Sequence, residues 1–279
     1  MYPTLYHALL DLTGLDLPLL KFLNSFGFFV ALAFIAASWT LSKELKRKER
    51  AGLLSSTQRS VVIGQAAKPL ELAIQAFIGF LIGWKLIGAL IELSVATSDP
   101  QAFLISAQGS WSAGIALAGL FAWMAWRAKE KVKLAEPRTE VITVHAGDHA
   151  GTITLLAALW GFIGAKLFHW FENPDQFMTF FTSPDAKDIF SGLTMYGGLI
   201  MAGIMVVRYM VKHAIPAFVG MDAAAPGLML AYGIGRVGCH VSGDGDWGIA
   251  NTAATPSWLP DWFWAYSYPN NVVGSGHLI

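Results

Sequence analysis

Apolar residues along the 279-residue chain gather into long blocks rather than alternating with polar ones. Six blocks approach the roughly 20 residues that a helix needs to cross a bilayer's hydrocarbon. They cover 24–41, 70–93, 110–126, 151–171, 192–211 and 222–238. The first, "FGFFVALAFIAASWTL", carries no charge. The third and sixth are shorter and glycine-rich, and a buried helix of a water-soluble core is the other reading for them. Glycine also suits membrane helices, because it lets backbones approach closely. The pattern predicts an all-α integral membrane protein, a polytopic bundle of about six spanning helices.

The polar stretches between blocks are sorted by charge. "KELKRKER" (43–50), Arg59 and Lys68 lie between the first two blocks, "RAKEKVKLAEPR" (127–138) follows the third, and "RYMVKH" (208–213) closes the fifth. The alternate loops "ATSDPQ" and "ENPDQFMTFFTSPDAKD" hold one lysine between them. Basic loops stay on the cytoplasmic side. The N-terminus and the loops after spans two, four and six then face outward, and the alternation runs through all six without a break. Residues 1–240 read as the bundle. Residues 241–279, including "SWLPDWFWAYSYPN", read as an exterior segment whose Trp and Tyr suit the membrane–water interface.

Composition agrees with the membrane. The chain is 54% hydrophobic and 14% charged, with a mean hydropathy of +0.49, against about 25% charged in a soluble domain. Zero net charge excludes nucleic acid as a partner class, since phosphate backbones need a basic surface. A single cysteine excludes an internal disulfide framework and a cysteine-based zinc cluster. No metal or cofactor motif is read. "MYPTLYHALLDLTGLDLPLLKF" lacks a basic region ahead of its apolar core and does not read as a cleavable signal peptide.

One stretch departs from the greasy background. "GRVGCHVSGDGDWG" (235–248) holds Arg236, Cys239, His240, Asp244 and Asp246 among five glycines. An arginine at the edge of a span is costly and marks a candidate site. Its planar fork of donors suits phosphate oxygens, although a snorkelling anchor is the alternative. Flanking Gly233, Gly235 and Gly238 would strip away side-chain bulk and let a headgroup approach the backbone. His240, four residues on, shares the helical face of Arg236 and is a candidate base or phosphate donor. Asp244 or Asp246 is a candidate to accept a proton or orient Arg236. The other readings are a polar surface turn and a calcium-binding turn, for which the run lacks the further carboxylates of an EF-hand loop. Cys239 reads as an inert thiol.

A second stretch, "SGLTMYGGLIMAG" (191–203), opens the fifth block. Tyr196 sets a phenol beside the open backbone of Gly197 and Gly198, at the same predicted depth as Arg236. It is a candidate site residue or an aromatic-belt tyrosine. Lys85 and Lys166 lie two-thirds along spans two and four. Lys85 reads as a snorkelling residue, while Lys166 has the better claim on an anionic lipid headgroup. The two share a Gly-x-Lys-Leu element, at 83–86 and 164–167.

Together these stretches resemble the bacterial prolipoprotein diacylglyceryl transferases. That family carries a Gly-Arg-x-Gly-Asn segment followed by a Gly-acid-x-Trp-Gly run. Here Cys239 takes the asparagine's place and one extra residue precedes Trp247. The family's His-Gly-Gly-Leu segment is similar to "YGGLI", with Tyr196 at the histidine's position. "GFIGAKLFHWFENPDQF" matches the family's Gly-x-basic-Leu helix, and Phe26 stands at a usual tyrosine in the first span. The resemblance covers span one and residues 151–248, with spans two and three as an insertion. Family members continue into a last spanning helix preceded by an arginine and a Pro-x-x-Leu-Tyr-Glu-type element, so the resemblance implies that this chain is a C-terminally truncated piece.

The resemblance implies an enzyme of the bacterial inner membrane with its working face outward. It would move the diacylglyceryl group of phosphatidylglycerol onto the lipobox cysteine of preprolipoproteins, releasing glycerol-1-phosphate, with no cofactor. Arg236, Tyr196, His240 and Asp244 are the expected catalytic residues. Arg236, Lys166, Gly197, Gly198, Gly238 and Gly243 are the expected substrate-binding ones. A non-catalytic protein that binds or transports anionic lipid would use the same residues.

Overall fold

A computed structural model describes residues 1–98, 100–182, 192–245, 249–265 and 271 of the chain. The protein is an all-α polytopic membrane protein. Five helical stretches are long and apolar enough to cross a membrane: Ser25–Arg50, Pro69–Ile91, Ala146–Glu172, Met195–Lys212 and Ala217–Ser242, with mean hydropathies of 1.3 to 1.9. Large apolar side chains face away from the protein, among them Ile35, Phe77 and Leu155 at 61–67% exposure. Water would penalise such patches, whereas lipid solvates them.

Twelve α-helices follow one another among the described residues: α1 (Leu5–Thr13), α2 (Ser25–Arg50), α3 (Pro69–Leu81), α4 (Gly88–Ile91), α5 (Leu93–Ser98), α6 (Pro100–Ile105), α7 (Trp111–Lys131), α8 (Ala150–Glu172), α9 (Pro174–Thr182), α10 (Met195–Lys212), α11 (Ala217–Ser242) and α12 (Asp261–Trp264). At 1.5 Å per residue the 26 residues of α2 reach about 39 Å, past a hydrocarbon core of about 30 Å. Its charged last turns, with Arg47, Lys48 and Arg50, therefore extend beyond the apolar part. The third predicted block forms α7. It stands outside the set of five because tryptophans and a charged end, Lys129 to Lys131, dilute its hydropathy.

The chain divides into two compact units, Met1–Thr40 with Ala224–Ile279, and Leu41–Ala223. In the first, Tyr2 N–H donates to Val241 O and Thr4 bridges to Asn24, which ties the N-terminus to the helix ends beside it. A Cβ on Gly227 would lie 3.1 Å from Ala37 O, and one on Gly238 would lie 2.7 Å from Phe29 Cβ. Small residues thus let α11 pack closely on α2.

The second unit holds two glycine-mediated helix pairs. In one, Gly79 and Gly83 of the α3 stretch face the Leu117 and Ala113 carbonyls of α7. In the other, Gly161 and Gly164 of α8 face Gly197 and Gly198 of α10. An ion pair links the buried Lys48 of α2, 5% exposed, to the exposed Asp222 carboxylate of α11. Pro226 lies inside α11 and has no N–H for the carbonyl of Asp222, four residues earlier.

Two strands went unread in the sequence. β1 (Thr57–Ile63) and β2 (Arg138–Val144) pair antiparallel, Thr57 opposite Val144 and Ile63 opposite Arg138. They bracket α3 to α7 in the chain, so their pairing joins the two ends of that helical segment. Their runs of β-branched residues, "SVVI" and "TEVITV", are the strand signal. It is masked in a hydropathy reading by the arginines and glutamate around them.

Candidate functional site

The first unit carries the glycine-rich end of α11. Arg236 and His240 lie one turn apart and both are exposed, facing away from the protein's interior. Gly233 and Gly235 have open space where a Cβ would stand. Gly238 is buried against Phe29, so its small size serves helix contact rather than an opening. Gly243 adopts φ +69 at the helix end, and its N–H donates to Cys239 O at 2.9 Å. A residue with a side chain would strain that left-handed cap. Ser242 Oγ also donates to Cys239 O, at 3.2 Å.

Asp244 N–H closes the same cap on Cys239 O. Asp246, Trp247 and Gly248 lie outside the described residues, as does Ser191.

The second unit carries Lys166, Tyr196, Gly197 and Gly198. Gly164 approaches α10 so closely that a Cβ there would lie 2.5 Å from Gly197 O and from Met201 Cβ. A Cβ on Gly198 would lie 2.7 Å from Gly161 O, and one on Gly197 would overlap Phe168. Gly197 and Gly198 are therefore buried in the α8–α10 contact. This contact sets the start of α10 beside the last turns of α8. Tyr196, 69% exposed, presents its phenol outward from that start. Lys166 is only 8% exposed, and its ammonium lies 5.4 Å from the centre of the Trp170 ring.

A polar network that the sequence reading passed over finishes the end of α8. Thr194 N–H donates to Ala165 O at 3.0 Å, and its hydroxyl donates to Glu172 Oε2 at 2.7 Å. His169 Nε2 meets Gln176 Oε1 at 2.8 Å. The signal for this network was present: His169 and Glu172 follow Lys166 at intervals of three, the spacing of one helical face.

Lys85 has a different setting from the headgroups expected for it. Its ammonium donates to the carbonyls of Phe103, Ser106 and Gln108 at 2.8, 2.5 and 2.9 Å. Three protons meet three carbonyls at the end of α6. Lys85 lies in a π-helical turn, Ile82–Ile87, that continues α3. Its ammonium also stands 4.2 Å from the Trp84 ring.

Outside the spans, Glu49 ties the turn before α8. Its carboxylate accepts from His145 Nδ1 at 2.8 Å and from Ala146 N–H at 3.0 Å. The hydrogen bond and the charge of Glu49 raise the His145 pKa above its ordinary value.

Comparison with known proteins adds a second line of observation. The family model described as prolipoprotein diacylglyceryl transferase matches residues 100–263. That range takes in α7, which the sequence reading placed in an insertion. A protein of Leptospira interrogans named phosphatidylglycerol–prolipoprotein diacylglyceryl transferase is 32% identical over 130 residues, covering 39% of this chain and 41% of the relative. One of Dehalococcoides mccartyi with the same name is 30% identical over 149 residues, 52% of each chain. One of Bifidobacterium adolescentis, again so named, is 34% identical over 107 residues, 34% of this chain and 31% of the relative. The matched region thus spans about half or less of the length of these relatives. No solved structure matches the chain.

Proposed function

Because the chain belongs to the prolipoprotein diacylglyceryl transferase family, we propose that it moves the diacylglyceryl group of phosphatidylglycerol onto the lipobox cysteine of preprolipoproteins. The substrate thiol loses its proton, and its sulfur attacks the glyceryl carbon that carries the phosphate. The S–C bond forms as the C–O bond breaks. Glycerol-1-phosphate leaves, and the peptide keeps a thioether. The nucleophile comes from the substrate, so the enzyme needs no cysteine of its own.

The single observation that carries the reading is Arg236, in the family-matched region, exposed at the end of a spanning helix among glycines with open space around them. A fixed guanidinium stabilises the negative charge that develops on the departing phosphate. His240, on the same face, donates to that phosphate or accepts the thiol proton. Asp244 accepts a proton or holds its neighbours. Lys166 and Tyr196 bind the anionic headgroup, the phenol through its O–H as a hydrogen-bond donor. Gly197, Gly198, Gly238 and Gly243 hold the backbones that present these groups.

The placement belongs to the same proposal. The protein resides in the bacterial cytoplasmic membrane with residues 1–240 as its bundle. The N-terminus, the Arg236 stretch and residues 241–279 face outward. The basic segments 43–50, 127–138 and 208–213 support this orientation.

The test incubates the full-length protein with phosphatidylglycerol vesicles and a lipobox peptide. The expected product is the peptide carrying one diacylglyceryl group. Arg236→Ala should lower its formation by about 10²- to 10³-fold, and Cys239→Ala should leave most of it. Saturable binding of phosphatidylglycerol with no modified peptide would replace this reading with that of a lipid-binding or transport protein.

A further inference from the structure

The proposed reaction needs an acceptor for the thiol proton, and the geometry points to His169 as that general base. The inference rests on the transferase reading. It concerns a residue that neither the sequence motifs nor the family resemblance singled out.

His169 occupies the last full turn of α8, three residues beyond Lys166 and on the same side of the helix. The glycine contact between α8 and α10 brings the start of α10 against this turn. The connection into α10 crosses the imidazole directly. Gly192 adopts φ +59, and a Cβ there would overlap His169 Nε2. Two residues later Thr194 binds Ala165 O and Glu172 Oε2, and two more lead to Tyr196. The half-buried ring therefore stands beside the backbone that carries Tyr196.

The ring is also oriented. Gln176 Oε1 is an acceptor, so the Nε2 facing it at 2.8 Å carries the proton. The lone pair then lies on Nδ1. Asn173 Nδ2 reaches Nδ1 only at 3.3 Å, while donating to His169 O at 3.0 Å. An imidazole whose Nε2 is held by an acceptor and whose Nδ1 is only loosely engaged is the arrangement that general-base catalysis needs. In the step itself the thiol proton passes to Nδ1, and the thiolate attacks the glyceryl carbon.

The experiment uses the full-length protein in phosphatidylglycerol vesicles with two lipobox peptides, one with cysteine and one with selenocysteine in its place. A selenol is already ionised at neutral pH and needs no base. His169→Gln should slow transfer to the cysteine peptide by about 100-fold, and leave transfer to the selenocysteine peptide close to the wild-type rate. Gln176→Met keeps the imidazole but frees its tautomer, and should slow the cysteine peptide alone by about 10-fold. Equal losses on both peptides would make His169 a structural residue and overturn the assignment. Unchanged rates on both would place the base elsewhere and overturn it too. A wild-type protein that modifies neither peptide would reject the transferase reading itself, a result distinct from either of these.

Discussion

Two lysines within the apolar helices share a sequence context and have different surroundings. Lys85 and Lys166 each follow a glycine by two residues and precede a leucine. Each glycine faces a carbonyl of a neighbouring helix, Ala113 O for Gly83 and Gly197 O for Gly164. Each ammonium lies near an indole, Trp84 or Trp170. Lys85 then gives its three protons to backbone carbonyls at the end of α6, whereas Lys166 is buried one turn before His169 and opposite the start of α10. A charge in a membrane span is costly and needs a reason. Here the reason differs: local backbone satisfaction for Lys85, and headgroup binding in the proposed reaction for Lys166. The sequence echo reports close helix packing, not a shared function.

The glycines give the largest test of that contrast. Gly164→Ala puts a methyl 2.5 Å from Gly197 O, and overpacking of this kind costs about 1–3 kcal/mol as the helices part. A displacement of about 1 Å at a reacting centre can cost about 10²-fold, so transfer should fall at least that far. Gly83→Ala disturbs the α3–α7 pair in the same way. It should lower the thermal midpoint in detergent while transfer stays near the wild-type rate. Equal loss of transfer in both variants would break the contrast.

The lysines themselves come next. Lys166→Met should lower transfer by about 10²-fold, with little change in unfolding temperature. Lys85→Met should do the reverse. It strips the ammonium from three carbonyls. Phe103 O keeps the Ser106 hydroxyl, while Ser106 O and Gln108 O cost about 1–3 kcal/mol each if they stay dry, seen as a lower thermal midpoint with transfer kept.

The smallest effect belongs to a charge outside the spans. His145, with its side chain 57% exposed, gains a Glu49 partner that favours its charged form. Its folded pKa is raised, so the stabilisation is fully present below the ordinary histidine value of about 6.5. It is lost as pH rises through the raised value. Glu49→Gln should therefore lower the thermal midpoint more at about pH 5 than at about pH 8. Part of the difference persists at high pH, because Glu49 also accepts the Ala146 N–H. A pH-independent difference would show that the backbone bond alone matters.

The helices were legible because lipid selects for long apolar blocks, and every predicted block lies on a helix. The ribbon was not, because its strands are short and sit in basic stretches where hydropathy falls. Arg236 was legible as a lone charge among glycines. The roles of the glycines were only half legible. Gly197, Gly198 and Gly238 read as openings for a headgroup, yet a neighbouring helix lies against each of them. The cap on Lys85 depends on carbonyls 18 to 23 residues away, which no periodicity announces. His169 was hidden for a similar reason, since Gly192 and Gln176 define its setting only after folding.

The central claim is that this chain cleaves phosphatidylglycerol at the bond between the glyceryl carbon and the phosphate oxygen. The most direct measurement uses phosphatidylglycerol labelled separately in its diacylglyceryl part and in its headgroup glycerol, incubated with the full-length protein and a lipobox peptide. The account predicts that the diacylglyceryl label moves to the peptide cysteine while the headgroup label is released as glycerol-1-phosphate. Both labels remaining together in intact, protein-bound lipid would contradict it.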